Sequence, residues 1–338
     1  MIPCFIQTES KAVRLLVAVL LALTVLLGGA FVWIKTPLAM ESPSVDLSIE
    51  PGSSPREVAR LVEASGVQVQ PDMLYWWFRL SGKSRKIRAG SYELGQGTTP
   101  ESLLQKLVQG DEALRAVTLV EGWTFRQARQ ALARAEALKP DAQGLSDEAL
   151  MAALGRAGVH PEGRFYPDTY TYSKGSSDLA VLKRAMRSMD QHLQAAWAQR
   201  LPELPLQTPD QALILASIIE KETGRLADQP LISAVFNNRL RIGMRLQTDP
   251  SVIYGLGDGF DGNLRRADLQ TDTPYNSYTR GGLPPTPIAL PGKAALLAAV
   301  RPQPSKAMYF VARGDGSSQF SATLDEHNRA VDKYQRGR

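Results

Sequence analysis

Twenty consecutive residues, Leu15 to Ile34, carry no charge. At about 1.5 Å per helical residue the run measures about 30 Å, the thickness of a bilayer's hydrocarbon core. Such a run limits what the rest of the chain can do. It crosses a membrane or is removed as a leader, and either way the remainder is exported. Lys11 and Arg14 precede the run and Lys35 follows it, a balance that favours an inner, cytoplasmic tail over residues 1–14 and a span over 15–34. Gly28 and Ala30 are small residues at the spacing a leader cleavage site needs. The apolar run continues past them through Phe31, Val32, Trp33 and Ile34, so a retained, single-pass anchor is the expectation.

Composition removes several classes of function. The chain of 338 residues is long enough for two domains and is 43% hydrophobic and 22% charged, as folded globular proteins are. Its net charge of +5 is scattered rather than gathered, so nucleic acid is not expected as a partner. Cys4 is the only cysteine, which rules out an intrachain disulfide. His160, His192 and His327 do not stand at ligand spacing, so neither a metal nor a cofactor is expected. HExxH, GxSxG and SxxK patterns are absent. Gly257–Gly262, GDGFDG, matches GxGxxG, but it follows a helix-like segment and no acidic residue stands about twenty positions on, so it reads as a surface turn. Any chemistry rests on carboxylates and hydroxyls.

After a linker over Thr36–Ser44, one pattern occurs three times: a β-like run, a turn with glycine, a hydroxyl N-cap and a short amphipathic helix. The copies span Val45–Gly66, Ile87–Gly110 and Ala116–Ala135, with Pro55 and Pro100 just inside the first two helices. Units this short cannot bury a core singly and are expected to pack together, in an α+β fold. Met73–Gly82 carries Trp76, Trp77 and Phe78, which read as core or as a platform for sugar rings.

Lys139–His160 reads as helical, and Glu162–Asp178 as an aromatic-rich loop or irregular strand. A long helix follows from Asp178 to Arg200. Thr208–Gly224 then reads as a helix marked at both ends. Thr208 is the N-cap, Pro209 the first turn, Gln211 the capping-box partner and Gly224 the left-handed end. Leu215, Ile218 and Ile219 form its apolar face, and Glu222 falls on that face by spacing. Glu220, two residues away, points to roughly the opposite side. Apolar surroundings and the negative helix end both raise a carboxyl's pKa, which suits Glu222 to general acid catalysis. The alternative is a glutamate that ends a helix and reaches solvent or an arginine.

Pro230 opens a further helix ending before Met244, and Thr248 or Asp249 caps another with Pro250 in its first turn. Thr271–Pro291 is a long loop rich in hydroxyls, the kind that is usually functional. Tyr275, Asn276, Ser277, Tyr278 and Thr279 within it would suit a polyhydroxy ligand. Lys293–Val300 reads as a buried helix, Met308–Thr323 as a hairpin, and Thr323 with Glu326 as the cap of a last helix.

The segments EGRFYPDTY, ASIIEKETG, VFNNRLRIGMRLQTDPSVIYG, TPYNSYTRGGLPPTPIALPG and YFVARGDGSSQFSATLDEHN run in order from Glu162 to Asn328. In these the chain resembles the YceG-like family of membrane-anchored endolytic murein transglycosylases, which cut peptidoglycan glycan strands. The resemblance implies a small LysM-like module over 45–114 and a mixed α/β catalytic domain over 115–338, periplasmic and held at the inner membrane. It implies Glu222, the second glutamate of EKET, as catalytic acid. It implies cleft walls from Gln247 and Asp249 and from Tyr275, Asn276, Tyr278 and Thr279. It further implies cleavage between N-acetylmuramic acid and N-acetylglucosamine with a 1,6-anhydro end, termination of nascent strands, and peptidoglycan synthases of the penicillin-binding class as partners. Two rivals stay open: a lysozyme-like hydrolase pairing Glu222 with Asp249 or Asp168, and a membrane-tethered glycan-binding scaffold without chemistry.

Overall fold

Helix α1 (Lys11–Lys35) opens the computed structural model, which describes residues 11–110 and 113–337. Most of the expected cytoplasmic tail, and Cys4 with it, lies outside the described residues. The 22 residues Arg14–Lys35 measure about 33 Å at helical rise, long and apolar enough to cross a membrane, and side chains such as Leu15, Val25 and Leu27 stand exposed. The chain divides into two compact units, residues 1–114 and 115–338.

In the first unit α1 leads to β1 (Ala39–Met40), β2 (Ser44–Ile49), α2 (Pro55–Ala64), β3 (Val67–Gln68), α3 (Pro71–Leu80), β4 (Gly90–Gly95) and α4 (Pro100–Gln109). Strand β2 alternates, with Val45, Leu47 and Ile49 inward, and pairs antiparallel with β4 so that Leu47 faces Tyr92 and Val45 faces Leu94. These residues form one core with Val58 and Val62 of α2, Leu74 and Phe78 of α3, and Leu103 and Leu107 of α4. Both helices predicted from a hydroxyl and a proline are capped as expected. Ser54 and Glu57 bond reciprocally, as do Thr99 and Ser102, each cap being worth about 1 kcal/mol. The aromatic cluster splits. Phe78 is core, the Trp77 Nε1–H donates to the Pro100 carbonyl at 3.0 Å, and Trp76 is 56% exposed.

Strand β5 (Leu114–Thr118) begins at the boundary, and the second unit continues with α5 (Phe125–Arg134), α6 (Asp147–Ala153), β6 (Thr169–Ser173), α7 (Asp178–Ala198), α8 (Pro209–Glu222), α9 (Gln229–Arg241), α10 (Asp249–Leu256), α11 (Arg266–Gln270), α12 (Lys293–Val300), β7 (Tyr309–Ala312), β8 (Ser318–Ser321) and α13 (Leu324–Tyr334). The third strand–turn–helix copy does not join the other two. Its β5 pairs with β6, and its helix buries Phe125, Ala128 and Leu132 against Leu150, Met151, Phe165 and Val181. The helix expected over Lys139–His160 shrinks to α6, because Gly144 and Gly155 take left-handed φ of 82° on either side of it and Pro140 stands ahead.

A second core gathers around α8, where Leu213, Leu215, Ala216, Ile218 and Ile219 are fully buried among α7, α9, α10 and α12. The predicted two-sided helix is therefore corrected: α8 is enclosed on nearly every side. Glu220 is half-buried, its Oε2 accepting the Gly292 N–H at 2.9 Å. The predicted ending is corrected as well. Thr223 leaves the helix in extended conformation, φ −152° and ψ 134°, so no left-handed residue is needed, and Gly224 is not among the glycines with positive φ.

Candidate active site

The start of α8 is set by local chemistry. The Thr208 hydroxyl accepts the Gln211 N–H at 3.2 Å, and the Gln211 side chain reaches past the cap to the Gln207 N–H at 2.6 Å. From that start, helical geometry delivers Glu222 to the last turn at the edge of the core. There Glu222 Oε1 accepts a hydrogen bond from the Thr248 hydroxyl. Thr248 is itself buried and held through its own backbone: its N–H donates to Ser277 Oγ at 2.9 Å, and its carbonyl accepts from Ser251 Oγ at 2.9 Å.

Burial pushes the Glu222 carboxyl up to about 7. Lost hydration is the leading cause. The Thr248 bond opposes it, the negative charge of Asp249 adds to it, and the Arg239 guanidinium opposes it. Arg239, on α9, is almost wholly buried. It spends Nε on the Met308 carbonyl at 2.7 Å and Nη1 on the Leu246 carbonyl at 2.6 Å, and it lies over the Tyr309 ring. It fixes the turn that carries Thr248 and supplies positive charge near the acid.

The two segments expected to wall a cleft are pinned together. Gln247 takes a left-handed φ of 49°, a conformation that costs a non-glycine residue about 1 kcal/mol or more, and its N–H donates to the Ser277 carbonyl at 3.1 Å. Arg245 donates to the Tyr278 carbonyl at 2.9 Å, and the Tyr278 hydroxyl donates to Asp249 Oδ1 at 2.5 Å. Gln247 and Asp249 are exposed and Tyr278 is half-buried. Tyr278 and Asp249 feel the charge of Glu222 or act on it.

The other three predicted wall residues serve the loop. Asn276 is fully buried. Its Nδ2 donates to the carbonyls of Asp268, Leu269 and Thr271, and its Oδ1 accepts the N–H groups of Tyr278 and Thr279. Asn276 thus holds the loop, since an amide carries both the donors and the acceptor that this turn uses. Thr279 donates to Asp272 at 2.7 Å. Tyr275 bonds Thr286 at 2.8 Å and packs edge-on against Tyr254. Asp168, the alternative second carboxylate, bonds the Thr169 N–H at 2.7 Å and is not among the charges acting on Glu222.

One acid escaped the sequence reading. Glu162 is 3% exposed. Its Oε1 accepts the Phe125 N–H at the start of α5 at 2.9 Å, and its Oε2 accepts the Tyr254 hydroxyl at 3.1 Å. Burial pushes its carboxyl up to about 7 as well. It lines a cavity of about 1530 Å³ together with Phe125, Gln127, Tyr254 and Tyr275. The cavity reaches Lys221 and Pro250, chain neighbours of Glu222 and Asp249, but not Glu222 itself. The EGRFYPDTY segment carried the residue, yet nothing in its spacing announced a buried carboxyl. Among the described residues no three His, Cys, Asp or Glu side chains converge as a metal site.

Comparison with known proteins bears on this geometry. The model of the YceG-like family matches residues 47–333. The chain is 31% identical over 330 residues to the endolytic murein transglycosylase of Bacillus subtilis, covering 91% of each chain. It is 25% identical to the endolytic murein transglycosylase of Streptococcus pneumoniae serotype 2, covering 86% of this chain and 58% of that protein. A crystal structure of a yceG-like protein of Listeria monocytogenes superposes with a TM-score of 0.54 at 27% identity, over 85% of this chain and 98% of that one.

Proposed function

This chain belongs to the YceG-like family, and we propose on that footing that it is an endolytic peptidoglycan lytic transglycosylase anchored in the inner membrane by α1. The observation that carries the reading is Glu222: a half-buried carboxyl whose lost hydration keeps it protonated up to about neutral pH, with one oxygen bonded to a buried hydroxyl. A general acid needs its proton at working pH, and burial supplies that condition here.

Thr248 occupies Oε1, which leaves Oε2 to carry the proton toward the substrate. Glu222 gives that proton to the glycosidic oxygen between N-acetylmuramic acid C1 and N-acetylglucosamine, and the C1–O bond breaks with positive charge developing at C1. The Thr248 hydroxyl and the Arg239 guanidinium stabilise the carboxylate so formed. That carboxylate then takes the proton of the muramyl C6 hydroxyl, and the C6 oxygen closes onto C1. The product is a 1,6-anhydro end, Glu222 is protonated again, and no water is consumed. In this reading Asp249, which accepts a hydrogen bond from Tyr278, steadies the charge at C1, and Gln247 and Tyr278 steer the sugar.

A second reading has a specific observation behind it. Asp249 is close enough to raise the proton affinity of Glu222, and glycoside hydrolases use two carboxylates. The paired β2 and β4 with their helices support a LysM-like, glycan-gripping role for the first unit, and an exported catalytic unit beside the membrane suits termination of nascent strands next to a synthase. Product mass decides among the readings. Peptidoglycan digested by the full chain in detergent yields anhydro ends from a transglycosylase and reducing ends from a hydrolase. Intact glycan, or equal products from wild type and Glu222→Gln, would overturn catalysis at this site.

A further inference from the structure

Helix α3 buries one side and leaves the other bare. Leu74 and Phe78 are fully enclosed, while Met73, Trp76 and Leu80 are 46%, 56% and 81% exposed. Their spacing of three and four places them on one helical face. From Met73 to Arg88 the sequence has no acidic residue, and Arg79, Lys83, Arg85 and Lys86 are all exposed. Among the described residues none of these four forms an ion pair. An apolar stripe with an interfacial tryptophan, flanked by unpaired cations, is the chemistry of a surface that lies on anionic lipid.

The end of α1 is tied to the same place. Trp33 packs on the core of the first unit, and Lys35, the last residue of α1, pairs with Glu101. Glu101 lines a small cavity with Trp77, Ser81 and Lys83, so the last turn of α3 and the loop after it adjoin the point where α1 ends. Through that tie, a bilayer crossed by α1 ends beside the bare face. Trp76 could stack on a sugar ring, but Met73–Arg88 carries no carboxylate or amide side chain to accept from sugar hydroxyls, and its exposed cations suit anionic headgroups.

We propose that the exposed face of α3 and the basic loop Lys83–Lys86 dock on anionic lipid headgroups of the bilayer that α1 crosses. The proposal rests on α1 being a retained span, and the test separates the two. The full chain, with Cys4→Ser, is reconstituted in nanodiscs of phosphatidylcholine with or without phosphatidylglycerol, plus a spin-labelled lipid as quencher. A fluorophore is attached at Leu80→Cys or, separately, at Val25→Cys. The expected result is quenching at position 25 in every disc, and quenching at position 80 only with phosphatidylglycerol. Reversing Arg79, Lys83, Arg85 and Lys86 to Glu restores the emission at 80; these side chains are exposed, so the fold survives the change. Quenching at 25 without quenching at 80 overturns docking and leaves the anchor standing. No quenching at 25 overturns both. Quenching at 80 that survives charge reversal overturns headgroup recognition, and a position 80 that responds to soluble glycan strands but not to lipid makes the face a sugar site instead.

Discussion

The pH dependence of catalysis should move in opposite directions when the two neighbours of Glu222 are changed. A carboxyl at 4.5 is about 0.3% protonated at pH 7; one held at about 7 is about half protonated. The difference amounts to about 3 kcal/mol against the charged form, and burial is its main source. Activity requires the protonated acid, so kcat/KM should fall as pH rises through about 7 rather than through 4.5. Thr248 stabilises the charged form, and a hydrogen bond to a charged group is worth about 1.5–3 kcal/mol. Thr248→Val should therefore carry the alkaline limb upward by about one pH unit or more. Asp249 destabilises the charged form, but it is exposed, where a neighbouring charge is worth about 1 kcal/mol or less. Asp249→Asn keeps the oxygen that accepts from Tyr278 and should carry the limb downward by at most about 0.7 pH unit. The assay is initial release of muropeptides, resolved by mass, across the pH range. The position of the limb is read rather than the height of the profile, so a slower variant still reports. Shifts in the same direction, or no shift in Thr248→Val, would refute the account of how Glu222 keeps its proton.

Glu222→Gln should lose about 10²–10⁴-fold in rate, while Glu220→Gln keeps most activity because an amide oxygen still accepts the Gly292 N–H; a deader Glu220 variant would assign the chemistry to the wrong carboxyl. Glu162, raised to about 7 when folded against about 4.5 unfolded, contributes stability present below pH 4.5 and lost as pH rises through 7. Glu162→Gln should accordingly raise the melting temperature above neutral pH and flatten its decline between those values, as thermal unfolding across pH will show. Gly163 takes φ 76°, and a Cβ there would sit 2.5 Å from the Pro287 ring, so Gly163→Ala should destabilise by more than about 1 kcal/mol, measured by denaturant unfolding. Asn276→Ala strands three carbonyls and two N–H groups and should cost at least about 2 kcal/mol, with activity lost together with the ordered loop rather than through KM alone.

What the sequence determined by itself is what local physics governs. The uncharged run after Arg14 shows its length directly. Ser54, Thr99, Thr124, Thr208 and Thr323 cap helices because a hydroxyl beside a helix start finds its N–H partner within three residues. Alternation in Val45–Ile49 assigns the inward face before any partner strand is known, and the position of Glu222 follows from counting residues along α8. Tertiary structure decided the rest, because burial and charge are set by chain arriving from far away. Glu220 reads as wet until α12 and the Gly292 N–H cover it. The third strand–turn–helix copy reads like the other two until β5 finds β6. Glu162 shows nothing until Phe125 and Tyr254 enclose it. Even the acid depends on such contacts. Helical spacing brings Glu222 to the edge of the core, but its retained proton comes from burial by the chain packed around it, reinforced by Asp249 and opposed by Thr248 and Arg239, which lie 17 to 27 residues along the chain and meet it only in the fold.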